Sequence, residues 1–272
     1  MSTLVIAKKD FEDAVRARTL QVMVAFFVGF TTLLFHYHRS RLGEERTFDI
    51  LFDGIVGMLG VVVPILGMMV GYRAIVGERE SGSLKLLLSL PHSRLELMLG
   101  KFLGRSAIIV VTMAVGFALV GVQTILFTDL FSLPAFLFAA GEITLFGIIF
   151  VAIAMAFSTA MRSSMKASIG ALGLTVLFSF IWDFLYGLVH QFVDPIQIDP
   201  ETGIGSPDPG PNWLFLLKRF NPRHAFYEPS SYSVKEPIPF YLDPWFGWVI
   251  VAFWLAVPLG LAYRRFERSD LS

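Results

Sequence analysis

Six apolar runs, each close to the length that crosses a lipid bilayer, dominate this sequence and leave few other folds open to it. A membrane's hydrocarbon core takes about 20 consecutive apolar residues in helical form. The helix is required because a backbone that meets no water must satisfy its own hydrogen bonds. The runs fall at residues 20–37, 51–76, 106–127, 133–161, 167–193 and 245–263. Only Arg162 to Lys166 separates the fourth from the fifth, which predicts a tight helical hairpin. With 55% of its residues hydrophobic and 16% charged, the chain lacks the polar share of a soluble domain.

The expected fold is an all-α polytopic membrane protein, with residues 1–272 in a single transmembrane domain. Lys and Arg collect on the cytoplasmic side of such proteins. Fifteen of the 22 lie on the side that holds the N-terminus, residues 73–105, residues 162–166 and the C-terminal tail; seven lie on the other. Both termini are therefore expected in the cytoplasm of a multi-pass protein of the cell (plasma) membrane. Six spans also require both termini on one side, so the two arguments agree.

Several function classes drop out. The net charge is zero, which leaves no basic footprint for nucleic acid. Cysteine is absent, and with it go disulfides, thiolate metal sites and cysteine nucleophiles. No His-Glu-x-x-His, Gly-x-Ser-x-Gly or dinucleotide fingerprint occurs, so no catalytic residue and no metal site is nominated. Asp10, Glu12 and Asp13 interrupt the N-terminus before the first apolar run, unlike a cleaved signal. Leu4, Ala7, Phe11 and Val15 instead share one helical stripe with Lys9, Asp13 and Arg16 opposite, which predicts an interfacial helix within residues 1–19.

Charge, glycine and leucine gather at residues 77–105, starting Gly77-Glu78-Arg79-Glu80-Ser81-Gly82-Ser83-Leu84-Lys85. Gly82 and Ser83 are expected to break the helix of span 2. Leu84 to Leu90 form a short apolar helical piece stopped by Pro91. Ser93-Arg94-Leu95-Glu96 then fits a capping box, from which a helix runs into span 3. Along it Leu95, Met98, Leu99, Phe102 and Ser106 share a face that can pack on neighbouring spans. Arg94, Lys101 and Arg105 share another, suited to lipid phosphates or an acidic partner surface. Gly77 and Gly82 have the spacing of phosphate-loop glycines, but Ser83-Leu84 stands where that loop needs Lys-Ser/Thr. A loop this elaborate between two spans suggests a docking surface.

At these residues the chain resembles the permease (transmembrane) subunit of a type-2 ATP-binding-cassette (ABC) transporter. The matching elements are Ala7-Lys8-Lys9-Asp10 with Arg16 and Arg18, and Tyr72-Arg73-Ala74-Ile75-Val76-Gly77-Glu78-Arg79-Glu80-Ser81-Gly82-Ser83-Leu84. Further matches are Leu86-Leu87-Leu88, Pro91, Ser93-Arg94, Leu99-Gly100-Lys101-Phe102-Leu103-Gly104, and Phe220-Asn221-Pro222 with Ala225-Phe226. Ser83 stands where the family more often has threonine. The resemblance is closest to the branch that includes the permease serving nitrous-oxide reductase maturation.

The resemblance implies an exporter whose substrate the sequence does not identify. The N-terminal helix would be an elbow helix, and the segment between spans 2 and 3 a coupling helix seated in a separate ATPase subunit. Its contact residues would be Glu78, Arg79, Glu80, Ser81, Gly82, Leu84, Leu87, Pro91, Arg94 and Lys101. Two ATPase subunits and a second permease copy, in a homodimer, would complete the assembly. ATP and Mg would be bound on the ATPase, leaving this chain without a cofactor and not an enzyme. A non-transporting membrane scaffold or sensor that docks a cytoplasmic partner through residues 77–105 is the alternative.

Charged residues inside spans are costly. Glu142 lies deepest, in span 4, where it lines a substrate path or accepts a proton, or else is a hydrogen-bonded structural group. Asp53 and Asp183 fall near the outer ends of spans 2 and 5 and complete the candidate intramembrane polar site. His190 and Asp194 are one helical turn apart but make too few ligands for a metal. Gly67-x-x-x-Gly71 and Gly100-x-x-x-Gly104 permit close helix approach, either within the chain or across a dimer seam. Residues 194–243 form an outer loop in which Trp213 to Leu217 and Phe220 are too apolar for water, so part of it is expected to be re-entrant or packed over the span ends.

Overall fold

Each apolar run folds as helix, as a backbone removed from water must. The computed structural model describes residues 3–41, 47–84, 93–193, 197–198, 205–206, 211–227 and 237–268. Among them six helices are long and apolar enough to cross a membrane: Thr19–Arg41, Leu51–Glu80, Arg94–Phe127, Leu133–Ala160, Ser164–Val193 and Phe246–Glu267. Their ends fall within a few residues of the sequence expectation, except that the third begins at Arg94, where the capping box lies. The secondary structure of the described residues is helical apart from one antiparallel pair of two-residue strands, β1 (Gln197–Ile198) and β2 (Gly205–Ser206). The chain divides into two compact units, residues 1–175 with 257–272, and residues 176–256.

In the first unit α1 (Thr3–Arg16) precedes α2 (Thr19–Arg41), α3 (Phe48–Gly71), the single turn α4 (Val76–Glu80), α5 (Arg94–Phe127), α6 (Leu133–Ala160) and α7 (Ser164–Val176). Two glycine pairs let helices approach backbone to backbone. A methyl group at Gly67 would stand 2.6 Å from the carbonyl oxygen of Gly147, and one at Gly71 would stand 2.8 Å from that of Val151. Span 2 therefore lies directly on the backbone of α6. At Gly100 and Gly104 the added carbon would meet the carbonyl oxygens of Thr3 at 2.9 Å and Ala7 at 2.8 Å, so α1 lies on α5 in the same way. Both pairs serve contacts within the chain, which answers the question the sequence left open.

The N-terminal helix shows a second difference. Its buried residues are Asp10 and Ala14, which face α5, whereas Leu4 on the expected apolar stripe is 70% exposed. The helix packs one face on span 3 and leaves Leu4 and Val5 exposed at its start, while Ala7, Phe11 and Val15 of the stripe are half-buried.

In the second unit a widened turn, Leu177–Ile181, leads into α8 (Trp182–Val193), and α9 (Trp213–Phe220) follows the strand pair. The first part of α10 (Phe246–Glu267) completes it. Leu214 and Phe215 of α9 are buried, as their apolar character requires. Arg219 is fully buried, and its guanidinium donates to the carbonyl oxygens of Ala225 (3.0 Å), Tyr241 (2.9 Å) and Asp243 (3.1 Å). Asn221, also fully buried, donates from Nδ2 to the Phe178 carbonyl at 2.8 Å and accepts from the Arg223 amide at 3.0 Å. These bonds give the Phe220-Asn221-Pro222 motif its physical role, closing the turn after α9.

Candidate functional site

The helix of span 2 stops at Gly71, five residues before the apolar run ends at Val76, and Tyr72 to Ile75 form a turn. Such a turn strands backbone amides that a buried site cannot leave unpaired. Ser158 of α6 takes them: its Oγ accepts from the amides of Ile75 at 2.9 Å and Val76 at 3.0 Å, with the serine fully buried. The chain then makes α4 and reverses at Ser81 and Gly82. Gly82 has φ +77°, a left-handed conformation that suits glycine. The expected break at Gly82 is present, and a second one precedes it.

The side chains of α4 point to different neighbours. Arg79 donates to the carbonyl oxygen of Met161 at 2.9 Å, at the C-terminal end of α6. Glu80 accepts from the amide of Ser164 at 2.6 Å and from its hydroxyl, at the N-terminus of α7. A cation at a helix C-terminus and an anion at the next N-terminus both match the helix dipoles. Adjacent residues of α4 thus bracket the connector between spans 4 and 5.

Glu78 turns to span 3. Lys101 Nζ lies 2.8 Å from Glu78 Oε1 and 3.4 Å from Asp10 Oδ1. Arg105 Nε stands 2.7 Å from the other Asp10 oxygen, and its Nη1 donates to the Val70 carbonyl at 3.3 Å. The Ser83 hydroxyl donates to Glu78 as well. The side chains of Lys101 and Asp10 are only 5% and 8% exposed, so their charges are compensated inside the protein and not by water. This cluster joins α1, α4 and α5.

The capping box has both of its bonds. Ser93 Oγ accepts from the Glu96 amide at 3.1 Å, and Glu96 Oε2 accepts from the Ser93 amide at 2.9 Å. Arg94 reaches the end of α10, donating to the Glu267 carbonyl at 2.9 Å with its guanidinium over the Phe266 ring. Leu84 packs with Ile75, Leu97 and Phe266, and is 2% exposed.

The residues assigned to the coupling segment are placed differently from one another. Lys101 and Leu84 do not offer a surface, because α1 covers the first and the end of α10 the second. The shared basic face is also split: Arg94 turns to the end of α10, while Lys101 and Arg105 both meet Asp10 of α1. Ser81 and Gly82 remain exposed, Glu80 is exposed beside its bond to Ser164, and Glu78 and Arg79 are partly covered. Leu87 and Pro91 lie outside the described residues.

The three intramembrane carboxylates have different surroundings. Asp183 Oδ1 lies 2.8 Å from His224 Nε2 and its Oδ2 lies 3.7 Å from Arg223, within the second unit. Glu142 is half-buried without an ion pair or hydrogen bond among the described residues, and Asp53 is exposed. Among those residues no group of three or more His, Asp or Glu could hold a metal ion. Asp194 lies outside them, and His190 packs against Tyr186.

Sequence reasoning gave Ser158, Met161 and Ser164 no role and named Asp10 only within a motif and among the charges that interrupt the N-terminus. One signal was available for Asp10: a carboxylate in line with Ala7 and Ala14 on a helix interrupts a small-residue face. For Ser158, lodged in an apolar span, there was none.

Comparison with known proteins bears on the whole chain. The family described as ABC-2 family transporter protein matches residues 4–271. A protein of Stutzerimonas stutzeri named "Probable ABC transporter permease protein NosY" is 27% identical over 283 residues, covering 97% of each chain. One of the same name from Pseudomonas aeruginosa is 27% identical over 281 residues, covering 98% of each.

Proposed function

The chain belongs to the ABC-2 family of transporter proteins, and from that premise we propose that residues 77–105 couple this permease to ATP hydrolysed on a separate ATPase subunit. The observation that carries the reading is the bracing of α4. Glu78 ties it to α1 and span 3, while Arg79 and Glu80 tie it to the ends of spans 4 and 5. A displacement of the insert is then felt by several spans at once. Its exposed tip at Ser81 and Gly82, with Leu87 and Pro91 beyond, is the part offered to the ATPase.

The rest of the assembly follows the family pattern. Two permeases and two ATPase subunits form the working unit, ATP and Mg stay on the ATPase, and transport runs outward. Both termini and residues 77–105 are cytoplasmic. Exposure of the apolar Leu4 and Val5 at the start of α1 supports an elbow helix resting on the membrane. Burial of Leu214 and Phe215 supports an outer loop packed over the span ends.

The test is reconstitution with the cognate ATPase. Ser81→Arg combined with Leu87→Asp should abolish capture of the ATPase and its stimulation by the permease, while the permease keeps its thermal stability. Undiminished capture by that variant would remove the insert from the interface. A permease that binds the ATPase but never alters its turnover would favour a scaffold. Reporter fusions at Gly82 and Gly205 should report opposite sides of the membrane.

A further inference from the structure

The last turns of α6 and α10 enclose a groove of about 310 Å³. Ala156, Phe157, Ala160 and Met161 line one wall, and Leu261, Ala262 and Arg265 the other. Three alanines leave the space, and the apolar side chains around them offer nothing to a polar solute. The backbone polar groups here are largely committed to the helices themselves. Arg265 is the single charged group of the lining, exposed and without an ion pair or hydrogen bond among the described residues. Four cations on the same basic side are engaged, Arg79 by Met161, Arg94 by Glu267, and Lys101 and Arg105 by Asp10, whereas Arg162 and Arg264 lie outside the lining of the groove.

An occupant must be apolar over most of its length and negative at one end. We propose that this groove seats an acyl chain of an anionic phospholipid whose phosphate is held by Arg265. The spans are immersed in lipid, so a chain is always available to fill the apolar wall. The guanidinium adds a charge-assisted contact that a planar, bidentate donor makes well with phosphate. Arg265 belongs to the basic side of the chain, which the positive-inside argument places at the leaflet carrying most anionic lipid. A free phosphate would leave the apolar wall unused.

A second groove provides the contrast. It measures about 600 Å³, lies between α5 and α6, and is lined by residues such as Val110, Phe117, Leu137 and Leu145 with no charged group. It can hold a chain but cannot select a headgroup. The lipid assignment rests on immersion of the spans and is independent of any coupling to an ATPase.

The absence of cysteine makes a single-label test direct. Val257→Cys places a fluorophore one turn along α10 from Leu261, and Leu137→Cys places one at the uncharged groove. Each labelled protein is reconstituted in phosphatidylcholine vesicles containing brominated phosphatidylglycerol or, in equal amount, brominated phosphatidylcholine. The label at Val257 should report an association constant about fivefold higher for phosphatidylglycerol, the effect of one basic residue near anionic lipid. At Leu137 the two lipids should quench equally. Arg265→Gln should abolish the preference, Arg265→Lys should keep part of it, and Arg264→Gln should leave it. Equal quenching by both lipids at Val257 overturns the proposal. So does a preference that survives Arg265→Gln, or one that falls equally in Arg264→Gln and Arg265→Gln, which marks a diffuse surface attraction.

Discussion

Lys101 Nζ lies 2.8 Å from Glu78 Oε1 and also within ion-pairing reach of Asp10, so one buried ammonium neutralises carboxylates from two separate segments. Removing a partner from a buried pair costs more than the pair contributes, because the remaining charge stays in a poor solvent for it. Lys101→Ala is expected to lower unfolding stability by about 3–5 kcal/mol. Adding Asp10→Asn should restore part of the loss, a coupling that denaturant titration of the single and double variants measures directly.

Ser158 carries a comparable burden with no charge. Its hydroxyl is the acceptor for two amides released by the Tyr72–Ile75 turn. Ser158→Ala should destabilise by about 1–3 kcal/mol, the cost of leaving buried donors unpaired. Thr112→Val offers a contrast within the same unit. Its buried hydroxyl returns only to the Ile108 carbonyl of its own helix, so the change should be far milder. Equal losses in the two variants would remove the amide-accepting role.

Glu80 acts at a helix start, and its effect is local. Hydrogen exchange of a peptide covering residues 161–170 should be severalfold faster in Glu80→Ala than in the wild type, with Glu80→Gln intermediate because it keeps an acceptor but not the charge. Unchanged exchange in the alanine variant would mean that the Ser164 cap is not held by this carboxylate.

Gly71 and Gly57 lie on the same helix with opposite surroundings. An added methyl meets a backbone carbonyl at 2.8 Å in the first case and nothing within 4 Å in the second. Gly71→Ala is expected to cost about 1–3 kcal/mol through overpacking, whereas Gly57→Ala should be neutral or slightly stabilising. Melting curves in detergent distinguish them.

What the sequence revealed were features written in neighbouring residues. The six spans follow from apolar runs, and the Ser93–Glu96 cap from two residues one turn apart. Gly82 follows from what glycine alone does cheaply. What it concealed depended on residues far along the chain. Periodicity put Lys101 on a face with Arg94 and Arg105, but it could not say that α1 would cover that face and bring Asp10. It assigned Arg79 and Glu80 to a partner's surface, when each had an intramolecular use at Met161 and Ser164. The turn at Tyr72–Ile75 carries no proline or internal glycine; its acceptor is a serine 83 residues beyond Ile75. The strand pair and the Arg219 hub between spans 5 and 6 were hidden for the same reason.

Asp10, Glu78, Lys101 and Arg105 all lie within the first 105 residues. Translation proceeds at about 5–20 residues per second and earlier segments fold first. The charge cluster can therefore close while spans 4, 5 and 6 are still being made. Ser158, Met161 and Ser164 then arrive at an α4 already held from the other side. The order of synthesis permits that order of assembly, in which the later spans meet an N-terminal half already joined by its charge cluster.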